Sequence, residues 1–548
     1  MPETRNSGFP LVPFQVVGPR RPFGGLHALR LTSPSRVGEN PAAKGHDMVR
    51  TITKTEQGEV QGRAKEGVLL FGGIPYAAPP TGPRRFRAPE EPDRWTGVRD
   101  ACRFGPAAPQ PRGEGLTADP HVEWSEDCLT LNVCTPALDD ARRPVFVWIH
   151  GGGFRTGQGA IPWYNGTSFA RRGDIVTVSI NYRLGALGFA HLAEVGGSEY
   201  ASSGLNGIRD QIAALRWVRD NIAAFGGDPE RVTVAGESAG AMSVGTLLGC
   251  PAASGLFRRA VAQSGAAHTV LGREESLEVA RRFAAAAGAG SIDDLIAAPI
   301  ERILDAQVEI EHVSRSGALR PRTGTGLGGM PFQPVLDGCV LPQPPITAVG
   351  AGLSAPVDLL VGTNRDEMTL FPVGAVDEQR LHRTAGRLFR DADAALAAYR
   401  ADWPDASPEG LLNAMLTDRF FRIPAVRLAE AQTRNNGTAY QYLFTWESRA
   451  FDGRLKATHA LEIPFVFNNL ARPGAEIFLG PGPTPQPLAD AMHAAWIAFI
   501  RDGDPACEEV GEWPAYHVEH RSVMELGERI GRRSDPYGTT RALWEGVL

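Results

Sequence analysis

The chain has 548 residues, of which 43% are hydrophobic, and a formal net charge of −6. That apolar fraction is ample for a large core. With no run of basic residues the balance excludes a nucleic-acid-binding stripe, and no stretch of roughly 18 apolar residues is present to cross a membrane as a helix.

Residues 1–47 are rich in Pro, Gly, Arg and Ser with little periodicity, and they lack the apolar centre of a signal peptide. They read as a disordered extension, with Met48 as the expected start of a single domain over 48–548 and a cytoplasmic location for the protein. Residues 56–70 alternate in the manner of a hairpin, and Pro-rich loops follow through Pro92. The apolar run Val145-Phe146-Val147-Trp148-Ile149 reads as a buried strand and leads directly into His150-Gly151-Gly152-Gly153-Phe154. A second strand is expected over 175–180. Next comes a helix with Ile208, Ile212, Leu215, Val218 and Ile222 on one face, at spacings of three and four. A third strand at 232–235 leads into Gly236-Glu237-Ser238-Ala239-Gly240, and the apolar run after it reads as a buried helix. The Gly-, Arg- and Ser-rich stretch 314–333 reads as a flexible surface loop. Strands at 357–361 and 440–444 and a helix carrying Leu488, Met492, Trp496 and Phe499 complete the pattern. Strands alternating with helices argue an α/β fold, a mostly parallel sheet covered on both faces. In such sheets active residues lie beyond the carboxyl ends of the strands, where both glycine motifs fall.

The two motifs carry complementary chemistry. A serine hydroxyl is a poor nucleophile unless it is held exposed on a tight turn beside a base, and small residues on both sides permit that turn. Backbone N–H groups of a glycine loop can hold the negative charge that develops on a carbonyl oxygen under attack. Either motif alone could be a turn packed closely on another backbone; together they supply a nucleophile and an oxyanion hole. Lysine occurs only at 44, 54, 65 and 456, which reads as the arginine bias of a GC-rich bacterial genome. The six cysteines do not imply a disulfide framework in a chain of this size. The sequons at Asn165 and Asn436 read as chance matches. No metal-site or cofactor motif is apparent.

The chain resembles the type-B carboxylesterase family, which includes bacterial carboxylesterases, cholinesterases and non-catalytic adhesion relatives. The resemblance runs from about residue 55 to the end. It rests on Phe225-Gly226-Gly227-Asp228-Pro229 leading to Gly236-Glu237-Ser238-Ala239-Gly240, and on Ser125-Glu126-Asp127-Cys128-Leu129-Thr130-Leu131-Asn132-Val133. Gly73-Ile74-Pro75-Tyr76, Asn181-Tyr182-Arg183, Gln263-Ser264-Gly265, Asn364-Arg365-Asp366-Glu367, His459-Ala460-Leu461-Glu462 and Trp513-Pro514-Ala515-Tyr516 also follow the family order. It implies an α/β-hydrolase fold, no cofactor and hydrolysis of small carboxylic esters, with aryl esters and activated carbamates as further substrates. A lipase or amidase of the same fold is the alternative.

Carried over by position, the resemblance makes Ser238 the nucleophile, His459 the base and Glu367 the acid, in the chain order this fold requires. The oxyanion donors are the N–H groups of Gly152, Gly153 and Ala239. Position alone does not choose between Asp366 and Glu367; the resemblance selects Glu367. Glu237 and Ser264 are candidates to support the histidine, and Met242, Leu370 and Phe371 to line an apolar substrate pocket. Retention of Ser238, Glu367 and His459 argues against an adhesion relative. Ala118 stands where cholinesterases carry a tryptophan for quaternary ammonium binding, which argues against choline esters. Ala108 stands where animal members place a cysteine bonded to the Cys128 position, which leaves a bridge from Cys102 open. An arginine before Phe86 is expected to pair with the acid of Ser-Glu-Asp-Cys, here Arg85 with Glu126. Monomer and dimer remain equally compatible with the sequence.

Overall fold

A computed structural model describes residues 51–112, 122–316, 329–371 and 373–547. The extension through residue 47, Met48, the Ala118 position and most of the 314–333 stretch lie outside the described residues.

Numbered in chain order, the strands are β1 (Ile52–Lys54), β2 (Glu59–Gln61), β3 (Arg63–Lys65), β4 (Val68–Pro75), β5 (Val98–Asp100), β6 (Thr130–Thr135) and β7 (Arg143–Ile149). They continue with β8 (Val176–Ile180), β9 (Gly227–Glu237), β10 (Arg259–Gln263), β11 (Asp358–Asn364), β12 (Ala439–Phe444), β13 (Ser522–Leu526) and β14 (Ile530–Ser534). β1, β2 and β5 form a small sheet. The other eleven form one sheet in the order β14-β13-β12-β11-β10-β9-β7-β8-β6-β4-β3. The run from β8 through β13 is parallel, and antiparallel strands flank it on both sides.

The parallel strands read as continuous apolar runs because helices cover both faces. β7 and β12 are buried at every position. The helix Asn206–Asn221 puts Ile208, Ile212, Leu215 and Val218 into the core, with Ile222 just past its end. The helix Gln486–Asp502 buries Leu488, Met492, Trp496 and Phe499. All ten residues of the helix Ala239–Leu248 are buried.

Two sequence expectations need correction. The hairpin is β3–β4 alone: Gly62 carries the chain between sheets, and Glu59–Gln61 pairs instead with β1 and β5. In the 314–333 stretch, the helix Ile300–Arg315 covers the start. At the other end Phe332 and Gln333 are buried, with Phe332 packed edge-on against Phe283 at 5.6 Å. An aromatic ring with that much apolar area to hide anchors its segment despite glycine-rich neighbours.

Arg85 donates from Nε and Nη2 to the two oxygens of Glu126 at 2.7 and 2.6 Å, and from Nη1 to the carbonyls of Leu295, Ile296 and Ala298. This ties the N-terminal loops to the segment before the helix Ile300–Arg315. All six cysteines are free, so Cys102 makes no bridge. No helix of the described residues is long and apolar enough to cross a membrane.

Candidate active site

Four neighbouring parallel strands, β7, β9, β10 and β11, end at one edge of the sheet. The glycine loop leaves β7, Ser238 leaves β9, Ser264 leaves β10 and Glu367 follows β11. His459 comes from the loop beyond the next strand, β12. Residues more than 300 positions apart therefore converge because strand order, not chain order, sets the neighbourhood.

Ser238 has φ 55° and ψ −124°, a conformation that costs a residue with a side chain about 1–3 kcal/mol. The surroundings hold it there. Its N–H donates to the Gln263 carbonyl at 2.9 Å, and its own carbonyl accepts from Met242 N–H at 2.9 Å. Gly236 and Gly240 face each other across the turn: a Cβ on Gly236 would overlap the Gly240 backbone, and one on Gly240 would overlap the Ile149 carbonyl. Ser238 keeps partial exposure between two buried neighbours, Glu237 and Ala239.

The loop after β7 runs beside this turn; a Cβ on Gly151 would lie 3.1 Å from Ser238 Cβ. Gly152 has φ 109° and Gly153 φ 63°. The Gly152 carbonyl is turned into the loop, where it accepts from Arg155 and Thr156 N–H at 3.1 and 3.0 Å. A Cβ on Gly152 would overlap the Thr156 carbonyl. Among the described residues neither the Gly152 nor the Gly153 N–H has a hydrogen-bond acceptor. Ala239 is the first residue of its helix, where N–H groups lack an intrahelical acceptor.

His459 is buried, with Nδ1 2.6 Å from Glu367 Oε2. The other Glu367 oxygen accepts from Asn364 N–H at 2.8 Å. Asp366 points elsewhere: Oδ2 accepts from Arg365 Nε at 2.9 Å and Ala457 N–H at 3.3 Å. The adjacent carboxylates thus diverge, one toward the imidazole and one into a loop tie. His459 Nε2 lies 3.1 Å from Glu237 Oε1, off the line of a hydrogen bond. Ser238 Oγ has no hydrogen-bond partner among the described residues.

A layer behind the imidazole was not singled out from sequence. Glu462 accepts from Asn364 Nδ2 at 2.6 Å and Gln263 Nε2 at 3.2 Å, and Trp496 Nε1 donates to Gln263 Oε1 at 3.1 Å. Glu462 stands three residues past His459, on the turn that leads into the helix Ile463–Val466, and its place inside the same motif is the signal that could have found it. Ser264, also buried, leaves Oγ without a hydrogen-bond partner among the described residues, and its neighbour Gln263 joins the layer instead. The Phe371 and Phe421 rings stand 5.3 and 4.9 Å from the imidazole. Leu370 packs against the apolar cluster containing Phe444 and Phe465, and Met242 is buried in the core at 2% exposure.

Three carboxyl groups around one buried imidazole cannot all be charged without large cost. Burial, reinforced by Glu462 and Glu367, raises Glu237 well above the usual carboxyl range, with His459 pulling the other way. Burial, then the Glu367 charge, pushes Glu462 up to about 7. Against the downward pull of burial, the carboxylates of Glu237, Glu367 and Glu462 raise His459 to about 9. At 3.1 Å, Glu237 and His459 titrate as a coupled pair.

The profile of the carboxylesterase family matches residues 49–543. The para-nitrobenzyl esterase of Bacillus subtilis is 39% identical over 499 residues, covering 90% of this chain and 98% of its own. The phenmedipham hydrolase of Pseudarthrobacter oxydans is 38% identical over 500 residues, covering 88% and 96%. Among solved structures, the Geobacillus stearothermophilus carboxylesterase EST55 superposes with a TM-score of 0.80 at 40% identity, covering 90% of this chain and all of its own. The architecture is the α/β-hydrolase fold.

Proposed function

Since the chain belongs to the carboxylesterase family and is a carboxylic ester hydrolase, we propose that it cleaves small esters through a Ser238–His459–Glu367 triad and an acyl-enzyme. Ser238 Oγ attacks the ester carbonyl and passes its proton to His459 Nε2. The carbonyl oxygen takes the negative charge and is held by the N–H groups of Gly152, Gly153 and Ala239. Collapse breaks the bond to the alcohol oxygen, which leaves with the proton from His459. Water then attacks the acyl group while His459 takes one of its protons, and Ser238 Oγ leaves the acid carrying that proton back from His459. Glu367 fixes the tautomer with the Nδ1 proton and stabilises the imidazolium. Glu237 Oε1 near Nε2 marks the resting arrangement; a bound substrate draws Nε2 to Ser238, since catalytic contacts often tighten only in the complex.

The observation that carries this reading is the 2.6 Å contact of a buried imidazole with Glu367, beside a serine held at φ 55°. The relative named para-nitrobenzyl esterase favours esters with an aromatic ring on the alcohol side as the substrate class. A panel of p-nitrophenyl esters of increasing acyl length, run with the enzyme and with Ser238→Ala, tests it. The expected loss in kcat is about 10⁴-fold or more on every ester cleaved. Full activity in Ser238→Ala would refute the mechanism.

A further inference from the structure

The helix Pro408–Thr417 continues into the helix Ile423–Thr433 through a turn, Asp418–Arg422, wound with one extra residue. Ile423 N–H bonds the Asp418 carbonyl five residues back. Pro424 supplies the reason. It has no N–H to donate, and in a regular helix its ring would meet the carbonyl four residues earlier. The wider turn relieves that clash, and such single π-turns recur at functional sites.

The turn and the residue before it, Thr417, approach the His459–Glu367 couple at two points, one ring against His459 and one hydrogen bond to the residue after Glu367. Thr417 Oγ1 accepts from the N–H of Met368, the residue after Glu367, at 3.2 Å. Phe421, fully buried, lays its ring 4.9 Å from the imidazole and stacks at 14° to Phe371, 6.4 Å away. On the turn's other side, Asp418 accepts from Arg422 Nε and Nη2 at 2.5 and 2.7 Å and from Tyr399 OH at 2.6 Å. Arg422 Nη2 reaches on to Thr540 Oγ1 at 3.1 Å. The clamp is buried and fully paired, so the turn is rigid where it meets the imidazole.

We propose that the turn is the positioning element of this couple: Thr417 holds the Glu367 turn through Met368 N–H, and Phe421 sets the plane of the His459 ring. The inference rests on the proposed roles of Glu367 and His459. Neither Thr417 nor Phe421 reaches substrate; both act through the couple.

The test compares Thr417→Val, which keeps shape but loses the acceptor, with Thr417→Ser, which restores it. Phe421→Leu serves as an independent second variant. For each, kcat and KM on a p-nitrophenyl ester are measured with the far-downfield proton resonance of the His459 Nδ1–H; His459→Ala is the reference. Misplacing a catalytic group by about 1 Å costs on the order of 10²-fold. Thr417→Val is therefore expected to lower kcat about 10–100-fold with KM within about twofold, and to broaden or lose the resonance. Thr417→Ser is expected to recover both. Phe421→Leu is expected to lower kcat and shift the resonance without a matching change in KM. Unchanged kcat and resonance in both Thr417→Val and Phe421→Leu would overturn the proposal. So would a loss in Thr417→Val that Thr417→Ser does not recover. If His459→Ala stays active, the triad reading fails instead.

Discussion

The Arg183–Asp210 pair and the carboxyl groups around His459 are both buried, and they are balanced in opposite ways. Arg183 donates from Nε, Nη2 and its own N–H to Asp210, and from Nη1 to the Arg87 carbonyl. One positive charge meets one negative charge, and every guanidinium arm has an acceptor. Such a pair ties the segment after β8 to the helix Asn206–Asn221 and has nothing left to react with. Around His459 a single base faces Glu237, Glu367 and Glu462, and among the described residues Glu237 Oε1 and Ser264 Oγ are left without hydrogen bonds. A site organised only for stability would not leave that imbalance in the core. Perturbed titration and unpaired polar atoms next to a strained serine are what a reactive site requires.

The largest effect is expected at Glu367. Glu367→Gln keeps the volume but leaves the imidazole in the wrong tautomer, and kcat is expected to fall about 10³–10⁴-fold with the melting temperature little changed. Asp366→Asn, which loosens the tie to Ala457, is expected to do the reverse. A dead Asp366→Asn beside an active Glu367→Gln would exchange their roles.

Asp210→Asn should act on stability instead. Removing one partner of a buried pair leaves a charge uncompensated, and urea unfolding is expected to show a loss of about 3–5 kcal/mol. The kcat of the folded variant should stay within a few-fold of the parent. A stable Asp210→Asn with impaired kcat would place this pair in the chemistry. Arg85→Ala, at a pair with more solvent access, is expected to cost about 2–3 kcal/mol in the same measurement. An unfolding midpoint unmoved by that change would mean the bidentate contact with Glu126 contributes no net stability.

The smallest shift is expected from Glu237→Gln. Activity needs a neutral imidazole, so it is lost as pH falls through the His459 titration, which the carboxylates hold above its ordinary value. Removing one of them lets the proton leave at lower pH. The acid limb of kcat/KM should move down by about one pH unit, equivalent to about 1.4 kcal/mol. A stationary limb would show that Glu237 does not raise the imidazole.

Much of the fold was legible in the sequence because parallel strands buried on both faces are continuous apolar runs, as at 145–149 and 232–235. β10 was not, because Arg-Ala-Val-Ala-Gln is short and alanine-rich and has no pattern of its own; its place between β9 and β11 defines it. The hairpin was overextended because Val60 alternates in phase with the next strand while belonging to another sheet. Ser238 stood out through its motif, while the roles of His459 and Glu367 came from the family resemblance, which alone chose Glu367 over Asp366. Gln263, Asn364 and Glu462 sat inside the same motifs without declaring a role, because polar residues at strand ends are common and only the fold brings these three together. Phe421 was least legible: a phenylalanine in a helical pattern reads as core, and its approach to the imidazole depends on the extra residue before Pro424.

The central claim is that Ser238 is the nucleophile, and the most direct measurement is the mass of the peptide carrying the adduct after treatment with a serine-directed organophosphate. One phosphoryl adduct is expected, on the peptide containing Ser238, in step with loss of activity. Inactivation with the adduct on another residue, or full labelling of Ser238 with activity retained, would contradict it.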